Sequence, residues 1–444
     1  MTTQPKTLTL PNGLTIVVDE RPDAGRVTCA IGIRSGSDHE PAELCGISHL
    51  IEHMVFKGSA KYTRQEIAAI EDLGGDTGAS TCGDCTLYSS NCFPEDFPHV
   101  FDILSDMVLH PTFPENEFSK ERKVILGEIG ESEDDPDDTA TVLTLRHIFQ
   151  DSPAGRPTLG FRKTLRKMTP DILRAYHASH YTASNMVVSV CGNITVENVR
   201  NLVQNKMQNL PAGQENTCPP PSYTPVDVRI NAKLSQTQIR LAFPGIRKTD
   251  PDYPAAITLQ NILSGGISSR LHECVRERNG LAYSIACSHE LIAGEGVFMV
   301  FTSTGIGQAG AMTETLCKAL VEATRTVSQG EIRKTVASIR MGLVMEMEGM
   351  GGLDTCHAED VLAKRHLGTS MDTLEKYKTV TPEDVMRVAK RIFSAKPSLV
   401  AYGPLKGLPG MPEIEEMLRG KAPKPQAARK KRPPAPAPKP PGTP

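Results

Sequence analysis

The stretch PAELCGISHLIEHMVFKGS, residues 41–59, sets His49 and His53 four positions apart with Glu52 directly before the second. Residues four apart share one face of an α-helix, so a helix here would turn both imidazoles toward one ion. The flanking residues support a helix, since Leu50, Ile51 and Met54 form an apolar stripe and Gly58 is a C-terminal stop. Histidine nitrogens bind zinc at about 2.0–2.1 Å, and Glu52 would project near the same edge, placed to take a proton from a water on the ion. The order is the reverse of the familiar H-E-x-x-H.

A catalytic zinc needs a third protein donor and one open position. KERKVILGEIGESEDDPDD, residues 120–138, offers Glu121 and Glu128, seven apart and so on one helix face, with Glu131 three beyond. Spacing alone does not choose among the three.

Around these segments strand-like and helix-like runs alternate. After the turn Pro11-Asn12-Gly13, LTIVVDE and VTCAIGIRSG read as strands, and TRQEIAAIEDLGG as a short helix opened by a Thr63/Glu66 capping box. STCGDCTLYSSNCF, residues 80–93, reads as one strand, which would point Cys82 and Cys85 to opposite faces. The segments from Glu95 to His110 and from Pro114 through Glu131 have helical spacing.

A proline-rich linker, PAGQENTCPPPSYTP, separates this unit from a second with the same order of elements. The chain is therefore divided into an N-terminal zinc-binding domain (1–212), a linker (213–225), a homologous domain without the metal cluster (226–410) and a disordered basic tail (411–444). The expected fold class is α+β, with two homologous domains, each an antiparallel sheet packed by helices.

With 39% apolar and 23% charged residues the composition is globular, and no apolar run reaches the ~18 residues of a membrane span. No export or organelle signal is visible at the N-terminus, so the expected compartment is the cytoplasm. The 11 cysteines do not form an even, dense disulfide framework. Cys82 and Cys85 have C-x-x-C spacing without a second such pair, and read as incidental thiols. Residues 421–444 hold seven basic and no acidic side chains, leaving −10 on residues 1–420. An acidic body argues against nucleic acid as the main partner and suits a basic or extended peptide.

These motifs together resemble the pitrilysin-type (inverzincin) zinc peptidases, most closely the mitochondrial processing peptidase-like subfamily and its single-size bacterial members. The resemblance covers nearly the whole chain before the tail. It is carried by GISHLIEHMVFKGS, LGGDTGASTCGDCTLY, KERKVILGEI, AGRPTLG, YTASNMVVSVCGNIT and SSRLHECVRERNGLAYS.

The resemblance implies one Zn2+ per chain held by His49, His53 and Glu128, with Glu52 as general base. It makes Glu121 a support for the metal ligands and leaves Glu131 at the start of a solvated acidic run. Arg276 and Tyr283 become substrate or intermediate contacts, and Gly78, Ala79 and Ser80 a strand that pairs with extended substrate. Gly78 stands where the family usually has Asn, which removes one contact near the cleavage point. The implied activity is endopeptidase cleavage of extended or precursor peptides by a homodimer or a heterodimer with a related chain. The alternative is a non-catalytic subunit of a heteromeric peptidase or larger complex with this fold.

Overall fold

A computed structural model describes residues 4–150, 152–349, 352–363 and 370–421. Six strands form the first sheet: β1 (Lys6–Thr9), β2 (Thr15–Glu20), β3 (Val27–Ile33), β4 (Asp76–Thr81), β5 (Thr86–Cys92) and β6 (Met186–Gly192), in the order β1-β2-β6-β3-β5-β4. Five form the second: β7 (Asp227–Ile230), β8 (Gln236–Pro244), β9 (Ile285–Ile292), β10 (Glu295–Gly305) and β11 (Ser398–Tyr402), in the order β7-β11-β8-β10-β9. The fold is α+β in two similar halves, as expected. The sheets are mixed where antiparallel pairing was expected throughout, because β2 pairs parallel with β6 and β7 with β11. Those partners are far apart in sequence, and the intervening helices make the crossover a parallel pair requires.

Both faces of each sheet are covered, which explains why β3 and β6 are apolar runs without alternation, all seven residues of each being buried. On one face of the first sheet, Cys29, Ile31 and Ile33 pack with Leu50, Ile51 and Met54 of the helix Ile47–Val55 and with the helix Phe97–Leu109. The opposite face is covered from the other half of the chain: Ala358 and Leu362 of the helix Leu353–Leu362 lie on Val17, Ala30, Leu87 and Val187. A Cβ on Gly32 would come within 2.9 Å of Leu362 Cδ1, so the helix sits on bare backbone there. The second sheet is covered in the reciprocal way. Ile148 and Phe149 of the helix Pro136–Phe149 pack on Ala242, Val297 and Met299. Arg240, 1% exposed on β8, fixes that helix through Asp137 Oδ1 at 2.6 Å and the Asp137 carbonyl at 3.0 Å.

Two further expectations are corrected. The run from residue 80 to 93 is two strands joined by a tight turn, and Cys82 and Cys85 flank that turn, with Cys82 N–H donating to the Cys85 carbonyl at 2.8 Å. Gly83-Asp84 makes the reversal, a turn signal that the surrounding Thr and Cys residues obscured. The disordered tail does not begin at 411, because Met411–Leu418 is a helix whose Met411, Ile414 and Met417 are buried in the second core. The rest of the basic tail, 422–444, lies outside the described residues.

Candidate metal centre

The helix Ile47–Val55 buries Leu50, Ile51 and Met54 and turns His49, Glu52 and His53 away from the core. The helix Glu115–Asp134 lies against it and buries Phe118, Glu121, Ile125 and Ile129. Glu121 therefore sits in a half-apolar stripe, Glu128 is on its margin, and Glu131 is exposed. That placement separates three carboxylates that spacing left equivalent.

His49, His53 and Glu128 each offer one donor atom, all within 4.8 Å of one another. His49 Nε2 lies 3.9 Å from Glu128 Oε2, and His53 Nε2 lies 3.7 Å from Glu128 Oε1. Both separations are too long for hydrogen bonds and leave the room an ion with donors at about 2.0–2.1 Å would fill. The other nitrogen of His53 is engaged: Nδ1 meets Glu121 Oε2 at 3.1 Å, and Lys57 Nζ donates to Glu121 Oε1 at 2.8 Å. This fixes the tautomer that leaves Nε2 with its lone pair. Burial raises the Glu121 carboxyl, but Lys57 and His53 outweigh it and hold the group below the usual carboxylate range. Burial, with His53 adding to it, lowers the His49 imidazole to about 4, so it is neutral and able to donate its lone pair. The donor set fits zinc in number and kind.

Glu52 is half-buried beside this cluster. Its Oε2 accepts from Thr81 Oγ1 at 2.5 Å, and burial raises its carboxyl while the Thr81 bond draws it back. Thr81 ends β4, which among the described residues is the edge strand of its sheet, paired only with β5. Along β4 exposure alternates: Gly78 and Ser80 are exposed, while Ala79 packs on the core and Thr81 reaches Glu52. The strand's free edge thus runs into the carboxylate next to the metal cluster. Sequence reasoning missed Thr81 and Lys57. Lys57 carried a signal, standing four residues after His53, whereas Thr81 needs the correct hairpin to be seen.

Arg276 and Tyr283 are brought together, but not to this cluster. The turn His272–Glu277 is wound wider than an α-helix, and Arg276 Cζ lies 4.8 Å from the centre of the Tyr283 ring, which is 79% exposed. Arg276 Nη1 is 3.3 Å from His272 Nε2, and its Nε is 3.7 Å from Glu277. Among the described residues, no hydrogen bond, ion pair or ring contact joins either side chain to His49, Glu52, His53 or Glu128.

Comparison with known proteins adds the context of this geometry. Residues 15–161 match the family described as insulinase (peptidase family M16), and residues 167–339 match its inactive domain. An uncharacterized zinc protease of Streptomyces coelicolor is 32% identical over 410 residues, covering 90% of this chain and 89% of that protein. The uncharacterized zinc protease YmxG of Bacillus subtilis is 29% identical over 406 residues, covering 91% and 99%. Among solved structures, an M16 inactive-domain protein from Pseudomonas fluorescens superposes with a TM-score of 0.84 at 21% identity, covering 90% of this chain and 98% of that one. A protease from Helicobacter pylori gives a TM-score of 0.84 at 20% identity, covering 91% and 100%. With two domain matches in tandem and relatives named as zinc proteases along nearly its full length, the chain belongs to peptidase family M16.

Proposed function

We propose that this protein is a zinc metalloendopeptidase that cleaves extended peptides, of the mitochondrial processing peptidase-like subfamily in its single-size bacterial form. The observation that carries the reading is the convergence of His49, His53 and Glu128 donor atoms within 4.8 Å. Glu52 stands beside them with one carboxylate oxygen fixed by Thr81.

Zinc held by these three side chains would supply Lewis acidity, lowering the pKa of a water to about 7 and polarising a peptide carbonyl. Glu52 takes a proton from the attacking water and later delivers it to the departing amine. Thr81 occupies Oε2, which leaves Oε1 for that transfer. Glu121 steadies the His53 ring. The free edge of β4 at Gly78, Ala79 and Ser80 accepts the substrate backbone as an added strand, which presents the scissile bond in extended form. Arg276 and Tyr283 donate to the carbonyl oxygen as it gains charge. Because they lie apart from their own chain's cluster, they serve the site of a second subunit in a homodimer or in a heterodimer with a related chain.

Metal analysis with a peptide-library digestion tests the reading. One zinc per chain is expected, lost in His53→Ala. Glu52→Gln should retain zinc and lose about 10²–10⁴-fold in rate, the share general acid–base catalysis supplies. A second reading, a non-catalytic subunit, is favoured by the bare Gly78 on the substrate strand. It predicts no tightly held zinc and no cleavage, and that result would displace the first.

A further inference from the structure

We propose that Glu40 is a positioning residue for the metal centre, and that the segment it ends, Gly36–Glu40, sets the helix Ile47–Val55 against the substrate strand. The proposal rests on the zinc-peptidase reading above. The helix has no side-chain cap from its own N-cap residue, Gly46, which stands at φ +95°. Its first N–H groups would therefore lack acceptors. Glu40 supplies them from upstream: Oε2 accepts from Gly46 N–H at 2.7 Å and Oε1 from Ser48 N–H at 2.8 Å, in a residue only 3% exposed. Ser48 directly precedes His49, so the carboxylate fixes the backbone at the first metal-binding residue. Arg156 Nη1 holds the other side of Glu40 by donating to its carbonyl at 2.7 Å.

The same segment reaches the substrate strand. Ser37 N–H donates to the Cys82 carbonyl at 3.1 Å and Asp38 N–H to the Gly83 carbonyl at 2.7 Å, both on the turn that follows β4. The approach is close enough that a Cβ on Gly36 would lie 2.6 Å from Gly83 O, and a Cβ on Gly83 would lie 2.6 Å from Asp38 Oδ2. Gly36–Glu40 is thus bonded at one end to the turn beyond Thr81 and at the other to the helix that carries His49, Glu52 and His53. It acts as a spacer between the strand that would receive substrate and the residues that would act on it.

The test uses the full-length chain, with zinc affinity measured by chelator competition, cleavage of a quenched-fluorescence peptide, and the thermal midpoint of the metal-free protein. Glu40→Ala is expected to weaken zinc about 10–100-fold, the range for residues that orient metal ligands, and to lower kcat. Glu40→Gln, nearly isosteric and keeping one acceptor oxygen, should show a smaller loss, and it carries the test if the alanine variant does not fold. Gly83→Ala, which displaces the far end of the spacer, should raise KM while zinc affinity stays within about twofold of wild type, since the metal residues are untouched. If both Glu40 variants bind zinc as wild type does and only the midpoint falls, Glu40 is a structural cap and the proposal fails. A wild-type chain that binds no zinc overturns the peptidase reading, and this proposal with it.

Discussion

On the proposed zinc-peptidase reading, Thr81 tunes the general base Glu52, because its hydroxyl donates to one oxygen of that half-buried carboxylate at 2.5 Å. A hydrogen bond to a charged group is worth about 1.5–3 kcal/mol, so Thr81→Val should lower kcat by about tenfold or more with zinc content unchanged. Metal analysis alongside steady-state kinetics separates the two effects. Gly78 offers a contrasting case. A Cβ there would meet nothing within 4 Å among the described residues and its φ is not positive, so Gly78→Asn should fold with stability within about 0.5 kcal/mol of wild type. It should also lower KM for peptides by adding a contact at the strand edge, which peptide kinetics would reveal. His177 controls part of the acid response. Burial lowers its imidazole to about 4 from 6.5, against a smaller opposing pull from its bond to the Val108 carbonyl. The unfolded chain then binds the extra proton, so stability present above pH 6.5 is lost as pH falls towards 4. In His177→Gln, urea midpoints should fall less steeply across that window. Residue identity was legible in sequence where one helix carries the pattern, as for His49, Glu52 and His53. Glu128 was not separable from Glu121 and Glu131 by spacing, because the choice depends on how far each projects past the neighbouring helix.

Elements exchanged between the halves are what bind the chain into one body. The helix Leu353–Leu362 closes the first sheet and the helix Pro136–Phe149 closes the second, each coming from the other half of the sequence. Leu362→Ala should cost about 2–5 kcal/mol, as for other buried leucines, although Leu362 lies far in sequence from the helix Ile47–Val55. Denaturant unfolding should show that loss with zinc affinity retained. The strands themselves were legible, since β-branched runs bounded by glycine and proline mark them well. What sequence did not reveal was pairing: parallel contacts β2–β6 and β7–β11 join segments separated by whole helical layers. The hairpin at Gly83-Asp84 was hidden inside a β-prone run, and the helix Met411–Leu418 inside a proline- and glycine-rich surround. The helix is decided by burial of Met411, Ile414 and Met417 in the second core, and the hairpin by the local Gly83-Asp84 turn, on which Asp38 N–H donates to the Gly83 carbonyl at 2.7 Å.

At the scale of the molecule, the separation of Arg276 and Tyr283 from the metal cluster has a consequence for assembly. The two side chains stack on each other, and Tyr283 is 79% exposed, an arrangement suited to presenting donors across a gap to another surface. If each catalytic site is completed by the partner's Tyr283, two inactive chains can restore one another. In a dimer of a Glu52→Gln chain with a Tyr283→Phe chain, one site carries both defects and the other carries neither. Equal mixing with free exchange makes half the dimers mixed, so about a quarter of wild-type activity should return from two parents with little of their own. A site complete within one chain gives a different result, because every site in the mixture then keeps one defect and activity stays at the parental average. Peptide cleavage before and after subunit exchange, with zinc bound in both parents, distinguishes the two. Recovery would place the oxyanion donors in trans and make the dimer the catalytic unit. No recovery at any mixing ratio, with dimers present by light scattering, would remove Arg276 and Tyr283 from the neighbouring site.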